Sequence, residues 1–141
     1  MKSMVEDLRY PFPVKFQELS SGPRMAYMEQ GQGAETIILI HGLGSYSPAW
    51  KNNIPALAKK YRIIAIDLPG YGKSSKGPWS GSLEFYAESL MEFADSLKLK
   101  SFHLGGHSMG GQISMVVALK YPERIQKLIL VAPAGFEPFH P

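Results

Sequence analysis

Apolar residues recur along this chain in two rhythms, and the alternation between the rhythms predicts the fold. Near the start, Val14 and Phe16 alternate with Lys15 and Gln17, so residues 14–19 read as a strand with one buried face. Ser20-Ser21-Gly22-Pro23 is a turn and residues 24–28 read as a second strand, which together predict an antiparallel hairpin. A turn at Gly31-Gln32-Gly33 leads into Thr36-Ile37-Ile38-Leu39-Ile40, an unbroken apolar run of the kind found in strands covered on both faces. Residues 62–66, the stretch just before Ser108, and residues 125–131 read the same way. Between these runs the period lengthens to that of a helix. Trp50, Ile54, Leu57 and Tyr61 form one such series, with Pro55 predicting a kink or a restart. Leu83, Tyr86, Leu90, Phe93 and Leu97 form a second, and Ile113, Val116 and Val117 mark a third over 109–121, stopped by Pro122. Ser47-Pro48 looks like a helix start, with serine at the N-cap and proline at the first position. Strands alternating with helices long enough for right-handed crossovers predict an α/β fold. The expected architecture is a doubly wound, mostly parallel sheet with an N-terminal antiparallel hairpin, in one domain over 1–141 without repeats or linkers.

Composition narrows the functions without choosing one. The chain has 141 residues, 45% apolar and 19% charged, which is ordinary for a globular protein. A net charge of +3 with no dominant Lys/Arg block gives nucleic-acid binding little support. There is no cysteine, so thiolate catalysis, disulfides and zinc–thiolate sites are excluded. Residues 1–10 carry Glu6 and Asp7 and no apolar core of a signal peptide, and no apolar run approaches the roughly 18 residues of a membrane span. A cytoplasmic protein acting on a small molecule, with no cofactor, no metal and no membrane partner, is the expectation.

The chemistry gathers at the ends of three strands: His41-Gly42-Leu43-Gly44, the stretch from Asp67 to Ser75, and Gly106-His107-Ser108-Met109-Gly110. In an open α/β sheet the carboxyl ends of the strands line one rim. The last segment fits Gly-x-Ser-x-Gly at a strand-to-helix corner. Such a corner strains its central residue and needs small residues two places either side, as Gly106 and Gly110 provide. The serine then stands at a helix N-terminus, where the Met109 amide can stabilise a developing oxyanion. Two look-alikes fail. Gly42-Leu43-Gly44 with Asp67 imitates a dinucleotide fingerprint, but Ser47 stands where the third glycine belongs and Pro48 follows. Gly72-Lys73-Ser74 imitates the end of a phosphate-binding loop, but Asp67 sits where its first glycine would be, and Gly77-Pro78 follow where a helix should run.

The whole set resembles the α/β-hydrolase superfamily. The resemblance is carried by His41-Gly42-Leu43-Gly44, Asp67-Leu68-Pro69-Gly70-Tyr71-Gly72-Lys73-Ser74, Gly106-His107-Ser108-Met109-Gly110 and Tyr121-Pro122-Glu123-Arg124, in that order. It implies Ser108 as nucleophile, the Leu43 and Met109 amides as the oxyanion hole, and His41 and Asp67 as residues bracing the loops. His107 is expected to pack away from the serine hydroxyl, and His103 to be a satisfied core residue. The activity implied is that of a serine hydrolase on an ester or amide-type carbonyl, with carbon–carbon hydrolysis or cofactor-free peroxidase-like chemistry open to the same serine. Dehalogenase and epoxide-hydrolase members carry aspartate where this chain has Ser108. A non-catalytic binding module on the same fold is the alternative.

Family members supply an acid and then a histidine after the serine. Beyond Ser108 this chain offers two glutamates, Glu123 and Glu137, one histidine, His140, and no aspartate. The expectation is an incomplete α/β-hydrolase core that stops after its sixth strand, with negligible turnover of its own. Self-association, or pairing with a fragment carrying the remaining strands, is expected at the open edge of that strand.

Overall fold

The computed structural model describes residues 8–136. A single six-stranded sheet runs in the order β1-β2-β4-β3-β5-β6. Its strands are β1 (Val14–Glu18), β2 (Arg24–Gln30), β3 (Thr36–Ile40), β4 (Arg62–Ile66), β5 (Phe102–His107) and β6 (Ile125–Val131). β1 and β2 form the predicted hairpin, with Val14 opposite Met28. β2 runs on to Gln30 because it also pairs antiparallel with β4, Gln30 opposite Ile63. The four remaining strands are parallel, Ile40 standing opposite Ile66 on one side and opposite Gly106 on the other.

The apolar runs sit where their continuity requires. Every residue of β3 is buried, as are four of the five in β4. On one face Ile38, Ile40, Ile64, Ile66 and Leu104 meet α2 (Leu83–Ser96) and α3 (Met109–Lys120) through Tyr86, Leu90, Phe93, Ile113 and Val117. On the other, Ile37, Leu39 and Ile63 meet Trp50 and Ile54. α2 begins where Ser82 accepts the Phe85 N–H at 3.0 Å, an N-cap. The Trp50–Tyr61 series is broken as Pro55 predicts: a 3-10 turn at Ser47–Trp50 gives way to a short α1 (Ile54–Leu57) with the proline in its first turn. β6 lies at the sheet edge and is mostly exposed along its length. Among the described residues no helix is long and apolar enough to cross a membrane.

Three sequence expectations change. Ser47 is not an N-cap: Tyr46 holds that position, and the buried Ser47 hydroxyl has no partner among the described residues. Its backbone N–H is what matters, because Asp67 accepts from it. His107 is exposed rather than packed, since it ends β5 where the chain leaves the sheet. His103 is buried with its Nε2 hydrogen-bonded to the Glu35 carboxylate at 3.1 Å, but its Nδ1 has no partner among the described residues.

Candidate active site

β5 passes directly into α3, and Ser108 is the corner between them. Its φ of 54° and ψ of −118° put it in the left-handed half of the map, which side chains other than glycine seldom enter. The corner is tight enough to dictate its neighbours. A Cβ on Gly106 would lie 2.2 Å from the Gly110 carbonyl oxygen, and one on Gly110 would lie 2.4 Å from the Ile40 carbonyl oxygen. The corner's own backbone is tied on both sides. The Ser108 N–H donates to the Val131 carbonyl at 3.1 Å, and the Ser108 carbonyl accepts from Gly111, Gln112 and Ala134 at 3.0, 3.2 and 3.0 Å. The Gly111 and Gln112 bonds engage the first α3 amides that can turn back on the corner. The Met109 and Gly110 amides precede them and have no intrahelical acceptor.

The turn after β3 lies against this corner. Ser45 donates to the Gly42 carbonyl at 3.2 Å, closing a four-residue turn whose third position is Gly44 at φ 70°. That is type II geometry, and it leaves the N–H of the second residue, Leu43, outside the turn's own bond. Leu43 is 74% exposed, so its side chain is no part of the packing that holds the turn. A Cβ on Gly42 would stand 3.3 Å from the Ser108 Cβ and 3.4 Å from His107 Nδ1. The predicted rim therefore exists, with the 42–45 turn and Ser108 in contact and the half-buried Met109 beginning α3 beside them.

The exit of β4 grips that turn from behind. His41 is fully buried; its Nε2 accepts the Leu68 N–H at 3.0 Å, so the proton sits on Nδ1, which donates to the Gly42 carbonyl at 2.8 Å. Burial holds the His41 imidazole below its ordinary pKa, outweighing its hydrogen bond to Gly42 and the nearby Asp67 charge, and so favours this neutral tautomer. Asp67, also fully buried, accepts the Ser47 N–H at 2.7 Å on one oxygen and the Lys73 N–H at 3.0 Å on the other. Its second oxygen also accepts from the Tyr10 hydroxyl. Three protein donors occupy its two oxygens, which fits a residue bracing the loops and not a ribose ligand. Residues 67–75 form turns and bends with no helix, so the phosphate-loop look-alike fails here too.

Three residues after Ser108 were candidates for an acid or a histidine. Glu137 and His140 lie outside the described residues. Glu123 is exposed in the 3-10 turn Pro122–Arg124, ahead of β6 and so at the amino ends of the parallel strands, whereas Ser108 stands at their carboxyl ends. Two contributors carry little signal in the sequence. Tyr10 reaches Asp67 from before the hairpin. Ala132, Pro133 and Ala134 fold back from β6 onto the corner, Pro133 so close that a Cβ on Gly111 would lie 2.7 Å from its own.

Residues 35–141 match the family model described as alpha/beta hydrolase fold. The chain is 43% identical over 105 residues to a dihydrolipoyllysine-residue acetyltransferase component of an acetoin cleaving system from Pseudomonas putida, covering 74% of this chain and 28% of that protein. It is 40% identical over 120 residues to a 2-hydroxy-6-oxononadienedioate/2-hydroxy-6-oxononatrienedioate hydrolase from Escherichia coli, covering 82% of this chain and 42% of that protein. A crystal structure of a probable hydrolytic enzyme from Pseudomonas aeruginosa PAO1 superposes with a TM-score of 0.85 at 32% identity, over 94% of this chain and 47% of that one. The chain thus spans less than half the length of these proteins.

Proposed function

This chain belongs to the α/β-hydrolase family, and we propose that Ser108 is the nucleophile of a serine hydrolase acting on a small-molecule ester or amide-type carbonyl. The observation that supports the reading most is the strained left-handed backbone of Ser108, held at a strand-to-helix corner in contact with Gly42. Strain of this kind costs about 1–3 kcal/mol and persists only where the surroundings enforce it. In the intact protein the Ser108 hydroxyl attacks the carbonyl carbon, its O–H proton passes to the histidine base that family members supply after the serine, and the carbonyl π-electron pair moves onto oxygen. The Leu43 and Met109 amides then donate to that oxyanion as the tetrahedral intermediate forms. Collapse expels the leaving group, which takes the proton back from that base, and leaves an acyl-serine for water to hydrolyse. The cysteine-free, mildly charged composition supports a cytoplasmic setting.

A second reading is hydrolysis of a carbon–carbon bond beside a ketone, through the same serine and the same two amides. The 40% identity to a hydrolase named for a 2-hydroxy-6-oxo dienedioate supports it. Treatment of the intact protein with a fluorophosphonate, followed by mass mapping, tests both readings against a non-catalytic module. The expected result is a single adduct on Ser108, absent from Ser108→Ala. No adduct on the unaltered protein would sink the hydrolase proposal. Parallel assays with p-nitrophenyl esters and a 2-hydroxy-6-oxo dienoate then separate the two substrate classes.

A further inference from the structure

Both ends of the 42–47 turn are anchored on two consecutive residues, Asp67 and Leu68. Leu68 holds the front through His41 and the Gly42 carbonyl, and Asp67 holds the back through the Ser47 N–H. A buried carboxylate keeps its place only while its oxygens are supplied with donors. Asp67 Oδ1 is supplied by Ser47. Oδ2 is supplied by Lys73 and by the Tyr10 hydroxyl, the only side-chain donor to this carboxylate among the described residues. Tyr10 is itself fixed. Its oxygen accepts the Lys73 N–H at 3.0 Å, Tyr46 meets its ring edge-on with centroids 5.4 Å apart, and the Lys73 ammonium lies 4.8 Å from the ring centroid. Gly72, at φ 51°, lets the exit loop close over the pair; a Cβ there would lie 2.2 Å from Asp67 Oδ2 and 2.7 Å from the Tyr10 oxygen. Burial first, and then the bond to Asp67, push the phenol well above its ordinary pKa, so it remains a donor.

We infer that Tyr10 is a positioning residue for the oxyanion-binding turn, acting through Asp67 and Ser47 on the Leu43 amide. The inference rests on the hydrolase reading for its catalytic meaning. Without the phenol hydroxyl, Oδ2 keeps one backbone donor that it must hold alone. The carboxylate shifts toward new donors, and the Ser47 end of the turn moves with it. Oxyanion donors act only when already in place, and a displacement of about 1 Å can cost on the order of 100-fold in rate.

The test compares Tyr10→Phe, Asp67→Asn and the double variant in the whole protein, by amide exchange and by the rate of Ser108 phosphonylation. Tyr10→Phe is expected to speed exchange at Ser47 and across 42–46 about tenfold, and to slow phosphonylation about tenfold with probe affinity unchanged. The double variant should be no slower than Asp67→Asn alone, as two members of one path require. Wild-type exchange at Ser47 in Tyr10→Phe overturns the inference. So does faster exchange with an unchanged phosphonylation rate, which would leave Tyr10 a structural brace. Additive losses in the double variant also overturn it, by removing Asp67 from the path. If Asp67→Asn does not fold, the two Tyr10→Phe readouts decide. A wild-type protein inert to the probe fails the hydrolase reading and takes the catalytic role of Tyr10 with it, while Ser47 exchange still reports separately on the clamp.

Discussion

Gly106 and Gly110 face each other across the corner at Ser108 so closely that a Cβ on the first would sit 2.2 Å from the carbonyl oxygen of the second. Neither partner can yield, because the obstructing atoms belong to the backbone of α3. Gly106→Ala is therefore expected to cost about 3 kcal/mol or more in stability, the upper end of overpacking effects. Gly44→Ala is the control: nothing lies within 4 Å of its Cβ position, and only its φ of 70° resists a side chain. It should cost about 1 kcal/mol. Urea unfolding of the two variants measures both numbers, and equal losses would show that space is not what selects glycine at 106.

That pair of glycines also marks what sequence could reveal. Gly106, Ser108 and Gly110 form a local pattern whose spacing follows from the corner itself. The β1–β2 hairpin, the apolar β3 and β4, and the capped α2 are likewise set by neighbours in the chain. Tyr10 was invisible to that reasoning because its partner Asp67 is 57 positions away and no periodicity links them. Ser47 misled for a related reason. Serine before proline signals a side-chain cap, yet here the backbone N–H is the group used, and its acceptor comes from the loop after β4. His107 was expected to be packed because such a turn points it away from the serine hydroxyl, but at the end of β5 it is exposed.

Ser108 trades stability for its hydroxyl. Replacing it with glycine removes a left-handed φ cost of about 1–3 kcal/mol and adds a backbone-entropy cost of about 0.5–1 kcal/mol. Ser108→Gly is expected to gain about 1 kcal/mol by urea unfolding while losing all fluorophosphonate labelling. A less stable glycine variant would mean that the hydroxyl, and not the backbone, fixes the corner.

The buried His41 makes stability depend on pH. Its folded pKa lies below the ordinary 6.5, chiefly through burial. As pH falls, the unfolded chain therefore binds this proton first. The contribution is complete above about 6.5 and is lost as pH falls through the folded value. Protonation of Nε2 would also displace the Leu68 N–H from its acceptor. The melting temperature is expected to fall between pH 7.5 and 5, and His41→Gln should flatten that slope even while lowering the plateau. An unchanged slope in His41→Gln would assign the effect to other groups.

β6 presents Leu128, Ile129 and Val131 at 37, 42 and 43% exposure on the outer edge of the sheet. Natural edges are usually short, charged, bulged or covered, and only Gln126 and Lys127 interrupt this one. This 141-residue chain is expected to self-associate through β6, with size-exclusion chromatography and light scattering giving masses above the monomer's 15.6 kDa. Ile129→Lys should disperse the assemblies. A monomeric wild-type chain with a sharp melt would count against pairing at this edge.

β3 and β5 are neighbours, and Ile40 stands directly opposite Gly106. Gly42 lies two residues past the first and Ser108 two residues past the second, so equal counts along a paired ladder bring them together. The distance between the two halves of the site is thus written in peptide units, with no side chain in the measure. Exchanges among Ile38, Ile64 and Leu104 swap one apolar shape for another and leave the count untouched. Inheritance can rewrite most of such an interior and still deliver both turns to the same address, and the mutation that would misplace them is a slip of the ladder by a pair of residues.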